Sequence, residues 1–209
     1  NYQQTISPFW GFEKSLGDYI TSIDIAKGGS MVLGPLGGGA WKYNGHSVYT
    51  ISSVDGIDVR NLGSGLIDND GQLWNTAWSQ GIIITKNGQI VKKLNTETGF
   101  PTNFVRALEL DSFGNIWAAT NIGLINIVGD KYILHDKSAG FLNTDMSNIS
   151  INENGLIWVS GAGFLSSMNG KYVQNYESDV DSIIIFGGNA GLLSLDDGSV
   201  LFGGPGLKK

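Results

Sequence analysis

This sequence predicts an all-β chain of repeated four-stranded antiparallel sheets, and three observations predict it. Turn glycines recur at a near-constant interval: Gly29, Gly71, Gly114, Gly155 and Gly198 lie 42, 43, 41 and 43 residues apart. A large apolar residue follows each at the third position: Val32, Trp74, Trp117, Trp158 and Leu201. A second tight turn follows in four of the repeats, at Asn44-Gly45, Asn87-Gly88, Gly129-Asp130 and Asn169-Gly170. Asn-Gly between strands signals a hairpin, because a type I′ turn needs φ > 0 at both central residues. A further glycine (Gly37, Gly81, Gly123, Gly163, Gly206) divides the second strand of each unit from the third. Four antiparallel strands in each period of this length make one propeller blade. The sequence thus reads as a five-bladed β-propeller forming a single domain, 1–209.

The stretch 99–124 shows the unit most fully. Val105–Leu110 is apolar enough and long enough for one strand. Asp111-Ser112-Phe113-Gly114 is a turn, in which the aspartate bonds its own backbone and glycine takes φ > 0. Residues 116–119 return as the second strand. At the ends of the chain, the fifth unit stops at Lys209, where its second hairpin turn is due. The chain starts with Asn1-Tyr2-Gln3-Gln4-Thr5-Ile6, which is similar to the fourth strands Lys131-Tyr132-Ile133-Leu134 and Lys171-Tyr172-Val173-Gln174. Counted through both ends, Gly198 and Gly29 are 40 residues apart, close to the internal period. The N-terminal strand is therefore expected to complete the C-terminal blade, which removes two open sheet edges.

Composition bounds the function. An apolar fraction of 41% over 209 residues supports a core. The 31 glycines and 4 prolines follow no Gly-X-Y period, so short strands with glycine turns fit and collagen does not. A net charge of −6 argues against a nucleic-acid surface, which needs clustered Lys and Arg. With no cysteine, disulfides and thiolate metal sites are excluded. No apolar run reaches the length of a transmembrane helix. The chain begins with Asn1 and is read as a processed protein or as part of a larger one.

The residues Phe100-Pro101-Thr102-Asn103-Phe104-Val105, followed by Asp111-Ser112-Phe113-Gly114-Asn115-Ile116-Trp117-Ala118-Ala119-Thr120-Asn121-Ile122-Gly123-Leu124, resemble the two-component regulator propeller repeat. That repeat occurs in extracellular sensor regions of bacterial hybrid histidine kinases, often ones that respond to glycans. The resemblance implies a propeller and an extracytoplasmic setting, periplasmic or secreted. It carries over no functional residue, because the repeat positions build the blade. Propeller lyases and five-bladed lectins are similar more distantly.

Several candidate sites have a plain structural role instead. The turns Asp68-Asn69-Asp70-Gly71 and Asn152-Glu153-Asn154-Gly155 gather carboxylates and amides, but a calcium loop needs a longer, fixed spacing ending in a bidentate Glu. They are read as turn chemistry. Trp74, Trp117 and Trp158 recur at the blade period and are read as packing between blades. His46 follows a hairpin turn and His135 lies in a fourth strand, the outermost of a blade, so neither is expected at a catalytic channel.

One rim offers more. The long connections from a fourth strand to the next first strand are 7–18, 52–59, 95–104, 136–145 and 177–189, and they share a rim with the turns between second and third strands. They carry repeated Gly-aromatic or Gly-aliphatic pairs (Gly11-Phe12, Gly56-Ile57, Gly99-Phe100, Gly140-Phe141) that suit packing. Trp10 and Trp78 break the repeat. Trp78 sits in a turn region longer than its counterparts: Gly71 to Gly81 spans 10 residues, against 9 and 8 in the next two units. Amides and acids lie among these aromatics: Asp18, Asp58, Asn103, Asn143, Asp145 and Asn189. Aromatic platforms beside hydrogen-bonding groups suit a sugar or a peptide.

The expected site comprises Trp10, Trp78, Phe100, Asn103, Asn143 and Asp145, with no catalytic residue, no metal and no cofactor. The expected function is a non-catalytic recognition module binding a carbohydrate or peptide, with no nucleic-acid partner. A protein-interaction scaffold and a propeller lyase are the alternatives.

Overall fold

The computed structural model describes residues 20–25, 29–35, 40–43, 48–51, 62–87, 89–177, 191–204 and 206–208. The chain divides into two compact units, Asn1–Phe104 and Val105–Lys209. Among the described residues the first holds two sheets. One consists of β1 (Ile20–Ile25), β2 (Met31–Pro35), β3 (Ala40–Tyr43) and β4 (Val48–Ile51); the other of β5 (Leu62–Ile67), β6 (Leu73–Ala77), β7 (Gly81–Lys86) and β8 (Gln89–Leu94). Among the described residues the second unit holds three. They are β9 (Val105–Leu110), β10 (Ile116–Thr120), β11 (Gly123–Val128) and β12 (Lys131–His135); β13 (Met146–Ile151), β14 (Ile157–Gly161), β15 (Phe164–Asn169) and β16 (Tyr172–Glu177); and a smaller sheet of β17 (Leu192–Ser194), β18 (Val200–Gly204) and β19 (Gly206–Lys208). Each strand pairs antiparallel with its neighbour in sequence. The repeat read from the glycines is therefore the sheet repeat. Closure by residues 1–6, together with Trp10, His46, Asp18, Asp58 and Asn189, lies outside the described residues.

The turn between first and second strands explains why the glycines keep their interval. In four sheets the same two backbone bonds close it. Gly71, Gly114, Gly155 and Gly198 donate to the carbonyls of Asp68, Asp111, Asn152 and Leu195 at 3.0–3.1 Å. Residues Asp68, Asp111, Asn152 and Leu195 in turn donate to the carbonyls of Gln72, Asn115, Leu156 and Ser199. The four glycines have φ between 73 and 88°, the left-handed region that a Cβ disfavours.

The aspartates add a side-chain clamp. Asp111 Oδ1 accepts from the backbone N–H groups of Phe113 and Asn115, at 2.9 and 2.8 Å. Its Oδ2 accepts from Asn115 Nδ2 at 2.9 Å and from the indole Nε1 of Trp117 at 3.0 Å. Asp68 repeats the arrangement with Asp70, Gln72 and Trp74. Each carboxylate is thus surrounded by N–H donors, which is turn chemistry rather than a cation loop. Among the described residues no group of three His, Asp or Glu is placed to hold a metal ion.

Burial follows strand order. Second strands β6, β10 and β14 are buried throughout, whereas fourth strands β8 and β12 are mostly exposed. A second strand is covered on both faces, so all five of its positions are buried, polar Asn75, Thr76, Thr120 and Ser160 among them. In the first unit β5 packs on β1 and β2, and Asp24 accepts a hydrogen bond from the Ile67 N–H at 3.1 Å. Burial raises the pKa of Asp24, with the N–H groups of Ile67 and Ile25 opposing it. In the second unit β13 packs on β9 and β10, and β17 on β13 and β14. Between the first two of these sheets lie Trp117, Phe141, Met146, Ile149, Val159 and Phe164. The repeated tryptophans Trp74, Trp117 and Trp158 are all buried, as packing residues should be.

Candidate functional site

The turn between β6 and β7 is built around close backbone approach. Gln80 donates to the Ala77 carbonyl at 2.9 Å, and Ser79 takes a left-handed φ of 56°. Gly81 then donates to the Asn103 carbonyl at 2.9 Å, which ties the turn to the 95–104 connection. A Cβ at Gly81 would strike the Leu94 carbonyl oxygen, so only glycine lets the two segments meet. Trp78 lies in this turn with 71% of its surface exposed. A fixed backbone therefore presents an indole to solvent.

The neighbouring connection is also held tightly. Residues 96–98 form one turn of 3₁₀ helix, capped by Asn95: its side chain accepts from the Thr98 N–H, and the Thr98 hydroxyl accepts from the Asn95 N–H. Asn103 Oδ1 accepts from the Thr96 N–H at 2.8 Å. Gly99 ends the turn with φ 87°, and Phe100 folds beneath it. The second unit repeats this at residues 137–139, capped by Asp136 and ended by Gly140 with φ 108°. Phe141 is buried there as Phe100 is here.

That geometry corrects one member of the expected site. Phe100 is 2% exposed and offers no ring to a ligand; it anchors the loop, as its partner Phe141 does. Trp78 and Asn103 remain close in the first unit, linked through Gly81. Asn103 uses its side-chain oxygen and its carbonyl to hold the loop. Asn143 and Asp145 lie in the second unit. Asn143 Oδ1 accepts from the Asp145 N–H at 3.0 Å, and the Asp145 carboxylate pairs with Arg106, which also donates to the Met146 carbonyl at 3.1 Å. Trp10 lies outside the described residues.

Sequence reasoning missed Phe104, which is 48% exposed at the end of the Trp78-bearing unit. The signal was available: at the equivalent position the next repeat has Asp145. It also missed the capped 3₁₀ turns, which Asn95-x-x-Thr98 and Asp136-x-Ser138 announce. His135 lies on the fourth strand, as expected. Its ring packs against Trp117 with centroids 5.5 Å apart. Burial lowers its pKa below the ordinary imidazole value, the Asp136 charge opposing, so at neutral pH it is an uncharged packing group.

Residues 99–121 match the two-component regulator propeller repeat. The repeat runs from the glycine that ends the 3₁₀ turn, through β9 and the Asp111 clamp, to the end of β10. Its residues are thus the ones that build a sheet. Among solved structures, the chain is similar to the extracellular domain of a hybrid two-component system from B. thetaiotaomicron, with a TM-score of 0.73 at 22% identity over 91% of this chain. The extracellular domain of a one-component system from the same organism gives 0.67 at 17% over 88%. In both cases the chain spans 27% of the sensor domain's own length. An inactive variant of virginiamycin B lyase from Staphylococcus aureus with quinupristin gives 0.65 at 14%, covering 97% of this chain and 67% of the lyase. Curated proteins return no sequence match. At these identities the likeness shows the fold, which is all-β and propeller-like. Among the described residues no helix is long and apolar enough to cross a membrane.

Proposed function

We propose that this chain is a non-catalytic recognition module that binds a carbohydrate or a peptide on the rim bearing Trp78, as the sensing part of a larger extracytoplasmic protein. The observation that carries this reading is the exposed indole on a cross-tied turn. Leaving such a ring in water forgoes burial worth about 25 cal/mol per Å², and a ligand that stacks on it recovers that term. Phe104, half-exposed in the same unit, adds apolar surface, and the exposed residues Ser79 and Gln80 beside Trp78 in the turn add polar groups. The repeat and the likeness to sensor domains support a sensing role over a catalytic one.

The test is a screen of the chain against glycan and peptide arrays, followed by Trp78→Ala. With the ligand returned, the substitution is expected to weaken binding by about 1–3 kcal/mol, as for a stacking aromatic. The melting temperature is expected to stay nearly unchanged, because the ring packs on little. Lost stability with intact affinity would make Trp78 a packing residue. Turnover of the ligand would favour the lyase reading.

The finer architecture belongs to the same proposal: five blades in one ring, the fifth completed by residues 1–6. Deleting those residues is expected to open a sheet edge and cause aggregation or a large fall in melting temperature. A truncated chain that melts like the full one would refute the closure.

A further inference from the structure

Turns of one geometry differ here in a single side-chain atom. At Asp68 and Asp111, Oδ2 accepts the indole N–H of Trp74 and Trp117 at 2.8 and 3.0 Å. The equivalent residue of the following sheet is Asn152. Its Oδ1 keeps both backbone bonds, from the N–H groups of Asn154 at 3.1 Å and Leu156 at 2.9 Å, so the turn itself is built as before. Its other atom is Nδ2, a donor, and it donates to the Leu195 carbonyl at 3.0 Å. Trp158 is 7% exposed, and its indole N–H has no acceptor among the described residues.

Two further bonds cross the same junction. Asn154 Nδ2 donates to the Asp196 carbonyl at 3.3 Å, and the Ser194 N–H donates to Ser150 Oγ at 2.8 Å. All three join the β13–β16 sheet to the β17–β19 sheet, within one unit. Among the described residues, Trp158, Leu165 and Val200 are buried at this junction.

We propose that Asn152 is the fastener of the β17–β19 sheet. An amide in place of the carboxylate turns a clamp within one sheet into a link between two, and the link leaves the Trp158 N–H without its usual acceptor.

Asn152→Asp separates this reading from a plain structural role, because it predicts different responses on the two sides of the junction. An aspartate would offer Oδ2 to Trp158, as Asp111 does to Trp117, while aiming the same oxygen at the Leu195 carbonyl. Hydrogen exchange of the full chain at neutral pH, read by mass spectrometry, is expected to speed about tenfold over residues 192–202, consistent with loss of one hydrogen bond and added repulsion. Over 157–168 it is expected to stay the same or slow. Slower exchange in both segments, or equal acceleration of both, would overturn the proposal. Ser150→Ala provides a second reading that leaves the Asn152 turn intact. It should speed exchange at 192–202 alone, and no change there would overturn the proposal too.

Discussion

Trp117→Ala is expected to destabilise the protein by about 3–5 kcal/mol, the range for deleting a large buried aromatic. The ring is 8% exposed and belongs to one apolar cluster with Met146, Ile149, Ile157 and Val159 of the following sheet. Deleting it leaves a cavity between two sheets whose β-strands are already paired and cannot collapse freely. Two further losses add to the cavity. The Asp111 carboxylate loses its indole donor, and the His135 ring loses the surface it lies against. Chemical denaturation checks the magnitude. Trp117→Phe, which keeps a six-membered ring but loses the pyrrole part of the indole with its N–H, should fall between wild type and alanine. A change within about 0.5 kcal/mol for alanine, typical of surface positions, would mean that the repeated tryptophans are not packing residues.

The sheets were legible because their cause is local. A glycine with positive φ, an Asx residue three positions earlier and an apolar residue three positions later fix one turn and the start of a buried strand. Val105–Leu110 was predicted to the residue, and the second strand ran one residue further than read, to Thr120. The site was less legible because exposure depends on what neighbouring segments cover. Gly99-Phe100 and Gly140-Phe141 read as packing pairs through their repetition, yet the aromatic character of Phe100 also suggests a ligand platform. The buried ring shows that repetition was the better guide. The same rule favours Trp78, which has no repeat partner and is exposed. The indole–carboxylate bonds were invisible in outline, since Asp68 to Trp74 and Asp111 to Trp117 are six residues apart with a turn between them. Once that spacing is known, Asn152 and Trp158 stand out as the departure from it.

Asp111→Ala should cost about 2–4 kcal/mol at neutral pH, and the loss should depend on acid. One part is the Trp117 N–H, left buried with no acceptor, at about 1–3 kcal/mol. The other is the side-chain cap on the Phe113 and Asn115 N–H groups, for which helix caps give a scale of about 0.5–2 kcal/mol. Burial alone would raise the Asp111 pKa, but the bonds from Trp117, Asn115 and Phe113 outweigh it and hold the pKa below the ordinary aspartate value. The ionised form is thus favoured in the folded state. Its contribution is fully present above the ordinary carboxylate pKa, and it is lost as pH falls through that value toward the lowered one. Wild type and variant should therefore differ by the full amount at pH 7 and converge as pH drops through the carboxylate range. His135 does not confound the comparison to first order, since both chains carry it. Its lowered pKa makes stability decline as pH falls below the ordinary imidazole value, a higher window. The measurement is unfolding free energy against pH for both proteins. A gap that stays constant from pH 7 into the acid range would show that shape at position 111, and not the carboxylate charge, holds the turn.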